Sequence, residues 1–159
     1  MSQAVQDFLA CRRLAVIGVS RTRRKYGNYA YRELKARGLT LVPVHPDLPR
    51  IDGDACVPSL DRLPTPVDGL LVCVRPDKVP RILRQAAAVG IRRIWLQQGT
   101  ESADATTTAT ELGLSVAQGA CILMHAPPVR SIHRLHRGLA RLFGRLPPES
   151  AARPREGRS

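Results

Sequence analysis

The chain has 159 residues, 43% of them hydrophobic, which suits one domain with a sizeable core and excludes general disorder. Lysine and arginine number 25 against 13 acidic residues, and the resulting net charge of +12 points to an anionic partner: a polyphosphate cofactor, nucleic acid or a membrane surface. No apolar run approaches the roughly 20 residues that cross a bilayer, and the N-terminal segment does not read as a secretory signal. The four cysteines, at positions 11, 56, 73 and 121, are scattered without the close spacing of a zinc site. A cytoplasmic protein with reduced thiols is therefore expected, with Cys73 inside a strand and in the core.

In chain order, residues 14–19 form a continuous apolar run of the kind found in strands buried on both faces. Residues 28–37 then place Tyr31 and Leu34 at helical spacing, with Asn28 as N-cap and Gly38 as the stop. A second strand is predicted over 39–44 and is closed by Pro46. A third, over 69–74, follows a turn-rich stretch at 45–68. Pro76 opens a helix running to about Val89 and Gly90 stops it; a fourth strand covers 91–96, a helix 102–112 and a short fifth strand 114–116. The order β-α-β-β-α-β-α-β predicts an α/β fold, a doubly wound, mostly parallel five-stranded sheet with helices on both faces, over residues 1–126.

After that domain, Val129, Ile132, Leu135, Leu139, Leu142 and Leu146 recur at steps of three and four, and Arg130, Arg134, Arg137, Arg141 and Arg145 form a second stripe. This predicts a basic amphipathic C-terminal helix over 127–146, followed by a disordered tail at 147–159. Its apolar stripe suits packing on the domain, on a second copy or on a protein partner. Its arginine stripe leaves nucleic acid or a membrane surface open, although an aromatic content of 4% offers little for base stacking.

In a doubly wound sheet the ligand sits beyond the carboxyl ends of the strands. The loop after the first strand reads Gly18-Val19-Ser20-Arg21-Thr22-Arg23-Arg24-Lys25-Tyr26-Gly27. A glycine directly after a buried strand lets backbone approach a phosphate, the next helix offers free N–H groups, and Ser20, Arg21 and Lys25 add a hydroxyl and charge. The loop departs from the dinucleotide pattern Gly-x-Gly-x-x-Gly, since Ser20 and Arg23 hold the second and third glycine places. The second strand ends Pro43-Val44-His45-Pro46, with no acid until Asp47 to hold a ribose. Both departures disfavour NAD and leave an NADP-binding, oxidoreductase-like protein as the alternative, with arginines to meet the extra phosphate.

Gly18-x-Ser20 followed by Lys25-Tyr26-Gly27 begins an ordered series of short motifs. Next come Tyr31, Glu33-Leu34, Pro43-Val44-His45-Pro46, Cys56-Val57-Pro58-Ser59-Leu60 and Val67-Asp68. Val74-Arg75-Pro76, Trp95-Leu96-Gln97-Gln98-Gly99 and Gly119-Ala120-Cys121-Ile122 complete it. Over residues 8–124 the chain resembles the stand-alone CoA-binding domain proteins, whose Rossmann-like fold is similar to the N-terminal CoA-binding domain of the succinyl-CoA synthetase alpha subunit. The resemblance implies coenzyme A, or an acyl-CoA, as the ligand, held without catalysis. It implies that Gly18, Val19, Ser20 and Arg21 line the pyrophosphate, that Lys25 pairs with a phosphate beside Tyr26, and that His45 and Pro46 border the adenosine. The turns Val74-Arg75-Pro76 and Gln97-Gln98-Gly99 would line the cleft toward the pantetheine arm, and an accessible thiol at Cys121, after Gly119-Ala120, would meet that of CoA. The family commonly carries Asn where this chain has His45, and an acidic residue with His where it has Leu123-Met124-His125. No metal ligand and no catalytic constellation is expected.

Overall fold

The computed structural model describes residues 1–127. In chain order it holds α1 (Gln3–Leu9), β1 (Arg13–Ile17), α2 (Tyr26–Ala36), β2 (Thr40–Val44), a small hairpin of β3 (Arg50–Ile51) and β4 (Asp54–Ala55), and β5 (Gly69–Val72). There follow α3 (Val79–Ala88), β6 (Arg93–Gln97), α4 (Ala103–Glu111), β7 (Ser115–Ala120) and α5 (Ile122–His125). The basic helix expected over 127–146 and the tail after it lie, from residue 128 on, outside the described residues.

The five long strands form one sheet in the order β2-β1-β5-β6-β7, and every neighbouring pair is parallel. This is the doubly wound architecture that the alternation of elements predicts. Side chains alternate between faces with the two-residue period of a strand. Leu14, Val16, Leu71 and Trp95 face one apolar layer with Val5 and Phe8 of α1, Tyr31 and Leu34 of α2 and Ile122 of α5. Ala15, Leu70, Val72, Ile94 and Leu96 face the other with Val79, Ile82 and Leu83 of α3 and Ala105 and Ala109 of α4.

Several boundaries differ from the sequence reading. The first and third strands end at Ile17 and Val72, so Gly18, Val19, Cys73 and Val74 leave the ladder and become loop. Cys73 is thus not a strand residue of the core. The helix expected from Pro76 begins as a single tight turn over Pro76–Lys78 before α3. Helix α2 starts at Tyr26 with Lys25 at its N-cap, so Asn28 lies inside the first turn and is not the cap. The 45–68 stretch is tied down in two places. Its β3–β4 hairpin meets α2 through Asp54, which accepts from Tyr31 Oη and at 2.7 Å from Lys35 Nζ, and Val57 adds a parallel bridge beside Val44.

Helix α1 has no counterpart in the sequence reading, because seven residues are too few to show a periodic stripe. Its place follows from topology. With α3 and α4 on one face, the other face of β6 and β7 needs cover, and α1 supplies it, laying Phe8 at 5.5 Å from the fully buried Trp95 ring. Phe8→Ala should therefore cost about 3–5 kcal/mol of folding stability in urea unfolding; a loss within experimental error would make α1 an appendage. At the start of β1, Asp68 Oδ2 accepts from the Arg12 and Arg13 N–H groups at 2.8 and 2.9 Å. The bonds from Arg13 and Arg12 hold that carboxyl below its ordinary value. A depressed carboxylate stabilises the fold above the unfolded value near pH 4 and loses that contribution as pH falls through the lower folded value. Asp68→Asn should thus be less stable than wild type at pH 7, with the gap narrowing as pH falls below about 4 and through the lower folded value.

Candidate functional site

A cavity of about 990 Å³ opens at the carboxyl ends of β1, β2, β5 and β6. It lies where the chain, having turned from β1 to β2, resumes on the opposite side of β1 with β5, the switch point at which such sheets hold ligands. Its volume is at the upper end of small-molecule sites.

The loop after β1 is built by close backbone approach. Gly18 has φ +117°, and a Cβ there would stand 2.2 Å from the Cys73 carbonyl oxygen. A Cβ on Gly27 would stand 2.1 Å from the Gly18 carbonyl oxygen. The three backbones thus interlock, and no side chain fits between them. Asn28, 1% exposed, completes the lock: its Oδ1 accepts from Ser20 N at 2.9 Å and its Nδ2 donates to Ser20 O at 2.8 Å. Ser20 Oγ in turn accepts from Thr22 N at 3.1 Å. The outcome is that Lys25, Tyr26 and Gly27, the N-cap and first turn of α2, stand in the cavity wall. Helix N-termini carry unpaired N–H groups and positive potential.

The other walls come from three loops. After β2, His45 Nδ1 accepts from Asp47 N and Leu48 N at 3.0 and 3.1 Å, so the ring folds the turn and keeps its hydrogen on Nε2. After β5, Arg75 pairs with Asp77 at 2.9 Å while lining the cavity. After β6, Thr100 Oγ1 donates to Gln97 O at 2.7 Å, and Glu101 accepts from Gly99 N at 2.7 Å and from Gly119 N at 2.9 Å. One carboxylate thereby ties the Gly99 turn to the end of β7.

Of the residues predicted from sequence, Gly18, Val19, Ser20, Lys25, Tyr26, His45, Pro46, Val74, Arg75, Gln98 and Gly99 all line this cavity. Arg21 does not. Among the lining residues that sequence reasoning missed are Gly27, Asp47, Cys73, Lys78 and Thr100. Gly27 belongs to the Lys25-Tyr26-Gly27 motif but lies nine residues from Gly18, too far in sequence to read as the close-packing glycine. Cys73 was hidden inside an apolar run. Among the described residues no group of three or more His, Cys, Asp or Glu side chains is arranged to hold a metal.

Tyr26 and Cys73 line the cavity, and Tyr26 also bonds to Cys121, which is not part of the lining. Tyr26 Oη lies 2.9 Å from Cys121 Sγ. Burial, the hydrogen bond to Cys121 and its charge raise the Tyr26 hydroxyl above its ordinary value. Partial burial works against ionisation of Cys121, but donation from Tyr26, from the Leu123 and Met124 N–H groups and from Gln97 leaves its thiol below the ordinary value. Burial, with Cys121 nearby, pushes Cys73 up to about 12.

Residues 12–127 match the profile of the family described as "CoA binding domain". The chain belongs to this family. A conserved hypothetical protein from Pyrococcus furiosus shares its fold at a TM-score of 0.68, with 30% identity over 71% of this chain and 97% of that one. The uncharacterized protein YneT of Bacillus subtilis (strain 168) is 25% identical over 111 residues, 70% of this chain and 82% of its own length. An ADP-forming acetate–CoA ligase of Archaeoglobus fulgidus is 32% identical over 90 residues, which are 55% of this chain and 13% of that protein. The span matched by the CoA-binding family contains every loop of the cavity.

The interlocked loop makes a direct prediction. Asn28→Ala removes two hydrogen bonds and strands the Ser20 N–H and carbonyl, which should cost about 1–3 kcal/mol in chemical denaturation. Asn28→Asp, which keeps the acceptor and loses the donor, should fall between alanine and wild type. A wild-type value for Asn28→Ala would show that the clamp does not hold the loop.

Proposed function

We propose that the chain binds coenzyme A, or an acyl-CoA, in the cavity above β1 and β5 and performs no reaction on it. The observation that carries this reading is the Gly18–Gly27 interlock, which puts the first turn of α2 and Lys25 into the wall of a cavity of the right size. Family membership supplies the ligand class. In this reading Ser20, Lys25 and the first turn of α2 take the pyrophosphate, where fixed donors and a cation favour a multiply charged anion. Val19 flanks them, and Arg21, outside the cavity, acts on the ligand only through the long-range field. The adenosine lies along His45 and Pro46. The pantetheine arm runs between Val74-Arg75 and Gln98-Gly99 toward Tyr26. A cytoplasmic setting belongs to the same proposal, since the four free cysteines suit a reducing compartment.

Calorimetric titration with CoA, acetyl-CoA, NAD and NADP tests it. CoA should bind, and the two dinucleotides should bind far more weakly. Lys25→Ala should weaken CoA by about tenfold, the size of one charge-assisted hydrogen bond. Equal or tighter binding of NADP would transfer the site to a dinucleotide, and absence of CoA binding would remove the proposal.

A further inference from the structure

We propose that the cavity selects an acyl thioester over free CoA, and that the side-chain amide of Gln97 makes the selection by donating to the thioester carbonyl oxygen. The proposal rests on the CoA reading of the cavity and names the form of the ligand that it takes. Burial singles Gln97 out. Among the described residues, the polar side chains that line the cavity and are more than nine-tenths buried are Gln97 and Thr100, each 5% exposed. The Thr100 hydroxyl hydrogen is already committed, since Oγ1 donates to the Gln97 carbonyl at 2.7 Å. The Gln97 amide is not. Its Oε1 accepts from Ile122 N at 3.2 Å, which fixes the orientation of the planar group and turns its oxygen toward α5. The NH2 group has two hydrogens, and its one partner among the described residues is the sulfur of Cys121, so a hydrogen is left for a ligand. What this side chain offers the cavity is therefore an N–H donor and not a carbonyl oxygen.

Position decides which part of the ligand it meets. Gln97 ends β6, three strands from β2 in the sheet order, so it lies about 14 Å across the sheet from the strand end where the adenosine is read to lie. It pairs with Ala120 of β7, and the next residue, Cys121, bonds to Tyr26 Oη at 2.9 Å. The amide thus stands beside Tyr26, toward which the pantetheine arm runs, at the end of the arm that carries the sulfur. An arm that fills this end displaces water, and a buried donor then needs an acceptor from the ligand. A thiol is a weak acceptor, whereas a thioester carbonyl oxygen is a good one. The amide carbonyls of pantetheine lie nearer the pyrophosphate, which leaves the acyl carbonyl as the acceptor within reach of Gln97.

The full chain is titrated calorimetrically with CoA, acetyl-CoA and ethyl-CoA, the thioether that keeps the two-carbon group and lacks the carbonyl. Acetyl-CoA should bind about tenfold more tightly than either, the size of one hydrogen bond to a donor otherwise left unpaired. In Gln97→Met, which keeps the length and apolar bulk of the side chain and removes the amide, the ratio of acetyl-CoA to ethyl-CoA affinities should fall to about one. In the unaltered chain, the side-chain NH2 resonances of Gln97, followed by heteronuclear NMR, should move downfield with acetyl-CoA and not with ethyl-CoA, a response that a purely structural amide would not give. Equal affinities for acetyl-CoA and either of the other two, a ratio that survives Gln97→Met, or resonances that answer both ligands alike would overturn the proposal and leave CoA binding in place. No binding of any of the three would remove the functional reading, and the proposal with it.

Discussion

Where β1 hands over to α2, backbone meets backbone with no room for a side chain, and the site depends on that contact. Gly18 lies against the Cys73 carbonyl on one side and against Gly27 on the other. A methyl group at Gly27 would push α2 away from the Gly18 loop and withdraw its first turn from the cavity wall, and one at Gly18 would collide with the loop after β5. Asn28 converts the approach into a fixed geometry, since its amide satisfies both polar groups of the Ser20 peptide from inside the helix. A buried amide with both ends engaged tolerates little displacement, because movement leaves polar groups unpaired.

The sheet supplies the frame for this contact. Successive crossovers in one direction across β5, β6 and β7 put α3 and α4 on one face, and the opposite face is closed by α1, α2 and α5. Trp95 is the common anchor there: its ring meets Phe8 of α1, its indole N–H donates to the Ala120 carbonyl at 3.2 Å, and His125 of α5 lies 5.8 Å from the ring. Those contacts also place Cys121, which follows Ala120 and precedes α5. The core and the end of β7 are consequently joined through one side chain.

Charge in the cavity is one-sided but not uniform. Lys25, Arg75 and Lys78 line it, whereas Asp47 is the acid in its wall and Asp77 pairs with Arg75 at its edge. Arg23 is drawn off to Asp52 on the β3–β4 hairpin at 3.3 Å, so the basic loop divides its cations between holding structure and facing the cavity. Sequence counting treats those cations alike, and only their partners separate them.

The five strands, their order in the chain and three of the main helices were legible in the amino-acid sequence, because buried parallel strands are apolar runs and the helices between them carry turn residues at their ends. The loops of the cavity were legible too, since the Gly18 loop follows the first strand and its companions recur in order after the others. Tertiary structure alone decided the rest. Helix α1 is fixed by the uncovered face of β6 and β7, Asn28 serves as a clamp because Ser20 folds back on it, and Arg21 is left outside because the loop leaves the wall after Ser20 and rejoins it at Lys25. The unlike characters of Cys73 and Cys121 belong to this second group: 48 positions apart in the chain, they differ because hydrogen-bond donors converge on one sulfur and apolar burial surrounds the other. Local pattern determines which elements form, whereas the neighbours of a given atom depend on distant segments that only the folded chain brings together.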